Sequence, residues 1–481
     1  PPIFTPAAAA VPTGGYVLVC GVNSLTATRT HSRTRANKET WVYDVAANQW
    51  RPAGGDLDLY QYDWLTAAPS QRHGVVLMVA LGPERRTYAF RYDPSGPAIK
   101  RTGAPPDTVR WKFPDQKGPL ETAPRPDVAA QKTFLAQLPV NRFVNANPPA
   151  TVVSKTWSSA ICDTDRGVVI YTGGGHSGYS GNDFAHYSVA ENRWSLSWPP
   201  CFPPFLEATN ASVFGLSYAC RPWSQHTYLW YAYDPVSRMV LYCARPTLKD
   251  NLEMQLDPDP TKTFVHTYKK TGYWTWVYDP AKRRLCPPSF GRPFGNPWHL
   301  ALCGTPRGVY ALAQGVLYLA TVADGMVTWK VVDDKGPTGK RDYNYEWQPI
   351  VYDSKRERLL HVMGKDSLVE VHARSLAEGA KWHKIETTGS AQLGREVVYL
   401  PRTDSLLMLG RGTLCVMDCA TNEWRQLDVE MPKGSYGTEC AMVYDPVHDV
   451  CVALIPSAFS GPMQTFLFRY DPKSAKSKVS Q

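Results

Sequence analysis

The 481-residue chain is 43% hydrophobic and carries 16 Trp, 26 Tyr and 15 Phe, core material that excludes intrinsic disorder. Its 35 Gly and 41 Pro demand frequent tight turns, as an all-β protein of many short strands does. The formal charge of +9, from 52 basic and 43 acidic residues, is mild for this length. The densest basic stretch (Arg29, His31, Arg33, Arg35, Lys38) has no interleaved aromatics, so nucleic acid is not an expected partner.

Residues 1–13 read as a linker or a processed N-terminus, with no signal peptide in the sequence as given. No apolar run approaches the roughly 18 residues of a membrane span. The longest, 74–82 (GVVLMVALG), suits a buried strand. From residue 14 to 475 one phrase recurs: an aromatic or apolar residue, Asp, a tight turn, an apolar run and often a Trp. It reads WVYDVAANQW (41–50), FRYDPSG (90–96), HYSVAENRW (186–194), WVYDPAKRR (276–284), VMDCATNEW (416–424) and FRYDPKS (468–474). A second form reads YDPVSRMVLY (233–242), YDSKRERLLHV (352–362) and YDPVHDVCVAL (444–454). Asp suits such turns because it accepts local backbone hydrogen bonds, and a following Pro presets φ.

Each unit predicts an inner strand ending in Tyr-Asp, a second strand running into Gly, a third with aromatic-x-Tyr-Asp and a fourth with Trp. The most complete unit spans 156–199. Eight repeat units are counted, and four short antiparallel strands repeated this way make an all-β propeller. The first unit lacks an evident innermost strand and the last an outermost one, consistent with ring closure by strand sharing between them or with truncation at residue 1, and seven blades follow if they merge. Insertions fall at 104–155, 200–225 and 245–271, and 476–481 reads as a tail.

The run GGGHSGYSGN at 173–182, followed by HYSVAENRWSLS, resembles a kelch blade of the galactose-oxidase-like propellers. As a repeat grammar the resemblance covers nearly the whole chain, but only 156–199 and 394–428 match closely. LYCARP (241–246) and HVMGKD (361–366) lack the double glycine. The resemblance implies the fold and leaves function open, because one fold hosts many activities.

Large insertions lead into first strands or join second to third strands, and these connections share one rim of a propeller. Binding residues gather on loops carried by rigid scaffolds, so a site is expected there. That rim should present His176, Tyr179 and Asn182, then Arg221, Trp223 and His226, then Arg292, Trp298 and His299, then Arg341, Tyr343 and Tyr345, with Arg395 and Tyr436 entering later blades. Flat aromatic faces beside Arg and Asn suit a glycan or a peptide. The bland reading has the tryptophans plugging between blades and Gly173–Gly175 serving close packing.

Chemistry has weaker support. The resemblance extends to copper-radical oxidases, whose site needs a Tyr directly followed by His, and no such dipeptide occurs here. Asp342 and Glu346 are the rim carboxylates a glycosidase or lyase would need. The eleven Cys form no CxxC or zinc pattern; Cys201 and Cys220 bracket an insertion and form a candidate disulfide. The expectation is therefore a non-catalytic, extracytoplasmic binding or scaffolding propeller with a protein or glycan partner and no cofactor. A carbohydrate-active enzyme and a structural subunit of a larger assembly are the alternatives.

Overall fold

The computed structural model describes residues 3–12, 14–23, 35–47, 49–54, 57–60, 65–80, 87–95, 119–174, 183–198, 217–218, 221–222, 226–243, 253–254, 266–267, 273–286, 289–294, 300–338, 348–365, 368–410, 412–437, 439–458 and 461–478. The chain is a β-propeller protein of four-stranded antiparallel sheets, and the described residues include eight blade-type sheets, as the repeat count expects. They divide between two compact units, Pro1–Phe113 with Pro203–Phe205, and Pro114–Phe202 with Leu206–Gln481.

The first unit holds two of these sheets. One runs Ile3–Ala10, Tyr16–Asn23, Arg35–Asp44 and Gln49–Pro52, with Leu57–Tyr60 added to the third strand. Residues read as a linker thus supply its first strand. The other runs Leu65–Ser70, Val75–Ala80 and Thr87–Phe90. Ala9, Val11, Leu18, Cys20, Val42, Val76 and Met78 form the core of this unit.

The second unit holds six blades, here numbered in chain order by their inner strands: Ala160–Asp163, Tyr231–Asp234, Leu300–Thr305, Ile350–Asp353, Glu396–Leu400 and Ala441–Asp445. Six hydrophobic clusters fix how these blades are arranged, because each cluster joins two neighbours. Val169 and Val452 share one (blades 1 and 6), Ile170 and Tyr242 another (1 and 2), and Trp230 and Leu302 a third (2 and 3). Leu312 and Leu359 (3 and 4), Val362 and Leu406 (4 and 5), and Leu407 and Cys451 (5 and 6) complete the circuit. The six blades therefore form a closed ring. Its last blade takes its fourth strand from Phe143–Asn145, with Phe468 opposite Phe143 and Phe466 opposite Asn145. The sharing expected between the first and last units of the chain does not occur; the closing strand comes from the 104–155 insertion instead.

Local chemistry explains the repeat. Asp163, Asp234, Asp353 and Asp445 end inner strands, are almost fully buried, and accept turn N–H groups from Asp165 (3.2 Å), Val236 (3.1 Å), Lys355 (3.1 Å) and Val447 (2.9 Å). The turn closes with a residue at positive φ, and three times a Tyr five residues earlier donates to it. The pairs are Tyr187 with Asn192 (2.7 Å), Tyr399 with Asp404 (3.0 Å) and Tyr444 with Asp449 (2.9 Å). Asx side chains tolerate the left-handed region better than branched ones, which fits their place here. The closing Trp is an inter-blade bolt: Trp194 Nε1 donates to Thr465 Oγ1 of blade 6, and Trp329 Nε1 to Thr275 Oγ1 of blade 2, both at 3.1 Å.

Candidate functional site

The two ends of the six-blade ring differ in kind. At the end carrying the tight turns, side chains clasp neighbouring blades. Arg238 reaches Asp165 (2.8 Å), Arg307 donates to Leu376 O (2.6 Å), Arg356 grips Asp404 (2.7 Å) and Arg402 grips Asp449 (2.5 Å). Gly167 of blade 1 lies so close to blade 6 that a Cβ there would sit 2.8 Å from the His448 ring. Short turns and mutual ion pairs tie neighbouring blades together at this end.

At the other end the chain enters the inner strands, and aromatic and charged side chains converge. Just before blade 1, Trp157 has φ 59°, a left-handed conformation that bulky residues rarely adopt. Its carbonyl accepts from Thr227 N (3.1 Å) and Tyr228 N (3.0 Å), which locks it against the segment entering blade 2. Its ring stacks on His226 at 5.3 Å and 24°, and both are only half-buried. His226 Nδ1 lies 2.7 Å from Tyr228 Oη. Gly173 (φ 116°) permits this arrangement, since a Cβ there would strike Ser158 Oγ and stand 2.7 Å from Thr227 Oγ1. Non-glycine residues held in such backbone regions cost about 1–3 kcal/mol each and cluster at binding and active sites.

Beneath this platform runs a channel of about 330 Å³, lined by the inner strands of all six blades. Tyr228, Tyr231, Ile161, Leu302, Val351 and Val398 are among its walls, and Glu396 is the one Asp, Glu, Lys or Arg on its lining among the described residues. Glu396 stands at the entrance, where Ser159 Oγ donates to Oε2 at 3.0 Å and Arg395 Nε lies 3.1 Å from Oε1. Arg395 Nη1 donates to Gly437 O (2.8 Å), and its Nη2 donates to Ser158 O. Burial raises the Glu396 carboxyl above its ordinary value against the opposing pull of Arg395, Ser159 and the Met442 N–H. A second buried carboxylate, Glu439, takes the Ser435 hydroxyl at 3.4 Å. Nearby, Lys155 Nζ binds both Asp183 Oδ2 (2.8 Å) and Asp183 O (3.0 Å), while Thr172 Oγ1 donates to that same carbonyl (3.0 Å). Those bonds tie together the two stems of the 172–183 connection. Burial lowers the Lys155 ammonium pKa, with Asp183 acting against it.

Of the residues expected on the rim, His226 and Arg395 stand at this entrance. Arg292 is buried, with its guanidinium 4.8 Å over the Phe294 ring, as packing rather than a presented side chain. Tyr436 donates its hydroxyl to Pro432 O, and Arg221 lies in the short strand Arg221–Pro222 paired with Ser217–Tyr218. His176, Tyr179, Asn182, Trp223, Trp298, His299, Arg341, Tyr343 and Tyr345 lie outside the described residues, as do Asp342, Glu346, Cys201 and Cys220. Cys162, Cys243, Cys286, Cys303, Cys415, Cys419, Cys440 and Cys451 are free thiols. Sequence reasoning alone misses Trp157, Ser159, Glu396 and Glu439. Their one signal is position: Trp-Ser-Ser and Glu-Cys each immediately precede an apolar inner strand, and Glu396 opens another.

No family model matches the chain, and no curated protein matches it. Among solved structures it is similar to a gluconolactonase from Xanthomonas campestris, at 13% identity over 72% of this chain and 94% of that one, with a TM-score of 0.38. A chain of a mitotic checkpoint complex (8%, 69% and 95%, TM-score 0.36) and one of a nidogen/laminin complex (10%, 62% and 94%, TM-score 0.33) are also similar. At these scores none of the three bears on activity, ligand or partner. No helix among the described residues is long and apolar enough to cross a membrane.

Proposed function

We propose that the protein is a kelch-like, non-catalytic binding propeller working outside the cytoplasm, and that the entrance of its six-blade ring holds a glycan carried by a partner in a larger assembly. The observation that carries this reading is Trp157. Its half-exposed ring is stacked on His226 and kept in a strained backbone conformation at the end of the ring that is free of clasping turns. An aromatic face beside directional donors and acceptors suits the apolar face and hydroxyl rim of a sugar.

Binding to a defined oligosaccharide array tests it. Replacing Trp157 with Gly relieves the left-handed strain, about 1–2 kcal/mol, which offsets part of the packing lost against the core, so the protein should fold with a lowered Tm. Array binding should fall about tenfold or more, the effect of removing an aromatic anchor. Undiminished array binding by folded Trp157→Gly protein would rule out the entrance as the binding face. A blank array together with binding to a peptide array would replace the glycan with a peptide segment.

A further inference from the structure

The outer edges of the ring's blades are not equally covered. Five outer strands are short, two to four residues each: Phe143–Asn145, Arg193–Leu196, Arg284–Leu285, His383–Ile385 and Glu423–Gln426. That of blade 5 is also joined by other segments: Thr388–Gly389 pairs with it in parallel, and Gln426 O accepts from Lys478 N at 2.9 Å. Blade 3 instead ends on Met326–Asp333, eight residues long. This strand folds back from Val316–Ala323 through Asp324 (φ 51°) and Gly325 (φ 73°), with Ala323 opposite Met326. In a two-residue turn with both φ positive the closing pair exchanges main-chain hydrogen bonds, and bonding alternates from there. Met326, Thr328 and Lys330 therefore bond inward, while Val327, Trp329 and Val331 turn their N–H and C=O groups outward. Val327 N follows this parity: it donates off the ladder, to Ser289 Oγ at 2.7 Å. The outward main-chain groups of Trp329 and Val331 have no partner among the described residues. Lys330 is exposed and Val331 is 52% exposed, whereas the Trp329 ring is pinned to blade 2 through Thr275.

We propose that this edge takes an extended peptide segment of a partner protein as an added strand of blade 3. Donors and acceptors repeated at every second residue, roughly 7 Å apart, match another extended backbone. The hairpin and the Trp329 anchor already order the strand, so little ordering cost falls on this side. Lys330 lies between the two open residues and favours an acidic side chain opposite it. The same lysine acts against a second copy of this chain, because the register that uses Trp329 and Val331 of both copies sets Lys330 against Lys330. The edge lies on the outer wall of the ring, apart from the entrance, and stands whichever ligand the entrance takes.

A display library of randomised nine-residue segments, selected on the intact chain and counter-selected on Val331→Pro protein, tests it. Proline at this position removes one outward N–H and blocks the edge while sparing the inward bonds, the setting in which sheets tolerate it. Selected segments should alternate β-branched or aromatic residues and carry an acidic one. As synthetic peptides they should bind Val331→Pro about tenfold or more weaker than wild type, the effect of losing two or so hydrogen bonds. Of the two alternately N-methylated forms of each peptide, one should keep its binding and the other lose it. The Trp329 and Val331 amides should exchange hydrogen rapidly in the chain alone and become protected by peptide. Failure to select any segment that distinguishes the two proteins, or equal binding by both N-methylated forms, would overturn the proposal. Amide protection that grows with protein concentration in the chain alone would overturn it in favour of a second copy. Should Val331→Pro not fold, the N-methylated pair and the exchange measurement on wild type still decide. Oligosaccharide-array binding by Val331→Pro should match the wild type, so failure at the edge and failure at the entrance are told apart.

Discussion

His186 sits between blades 1 and 2, with its Nε2 2.7 Å from Tyr278 Oη and 3.0 Å from Ser197 Oγ. Burial, reinforced by Arg283, Arg166 and Lys155, lowers its pKa to about 3, and burial with His372 does the same to His361. Both values lie below those of the unfolded chain. Above the ordinary histidine range both states are neutral and the histidines add no pH dependence. As pH falls below it, the unfolded chain takes up protons that the folded chain refuses, and stability drops until about pH 3. Each buried histidine should cost about 1.4 kcal/mol per pH unit in that window. Urea midpoints at pH 7 and pH 4.5 should therefore differ, and His186→Gln should shrink the difference by about one histidine's share. An unchanged difference would show that His186 is protonated in the fold. The sequence displays His186 only as part of a strand phrase; its seclusion comes from blade 2, and no local pattern encodes that.

The turns show what local sequence does encode. Asp353 is fully buried, takes the N–H of Lys355 (3.1 Å) and Arg356 (3.2 Å), and pairs with Arg356 (3.1 Å) and Arg358 (2.8 Å). All of these partners lie within five residues, so Asp-Ser-Lys-Arg specifies the turn by itself. Asp404 instead reaches across to blade 4, taking Lys355 (2.9 Å) and both Nη atoms of Arg356 (2.7 and 2.8 Å). Arg356 holds its carboxyl well below the usual carboxylate range. Removing one partner of a buried pair costs about 3–5 kcal/mol, and a partly solvated one less. Asp353→Ala should accordingly destabilise more than Asp404→Asn, and only the latter's penalty should shrink noticeably in 1 M salt. Chemical denaturation of the two variants reads the order; the reverse order would make the inter-blade clasp the stronger of the two. The closing strand Phe143–Asn145 is illegible for the opposite reason. Three residues show no alternation, and their partner strand, Met463–Phe468, lies near the other end of the chain.

Across the whole molecule, repeat counting finds the blades but cannot say which of them close on one another. That follows from the six inter-blade clusters and from Phe143–Asn145 completing blade 6. A chain of residues 114–481 should therefore unfold in one cooperative transition with its tryptophans in fixed surroundings, whereas one beginning at residue 147 should lose cooperativity because blade 6 lacks its fourth strand. Similar melting of the two by near-ultraviolet circular dichroism would show the closing strand to be dispensable. The rim is half legible. Insertions and their residue types point to the end of the inner strands where His226 and Arg395 stand, but Glu396 and Trp157 stand out only once six strands surround a channel. The most direct test compares the two ends of that ring: oligosaccharide-array binding by folded Trp157→Gly at the entrance and by Arg238→Ala among the tight turns. Binding should be lost in the first and full in the second. Full binding in the first with loss in the second would put the binding face at the opposite end and contradict the proposed function.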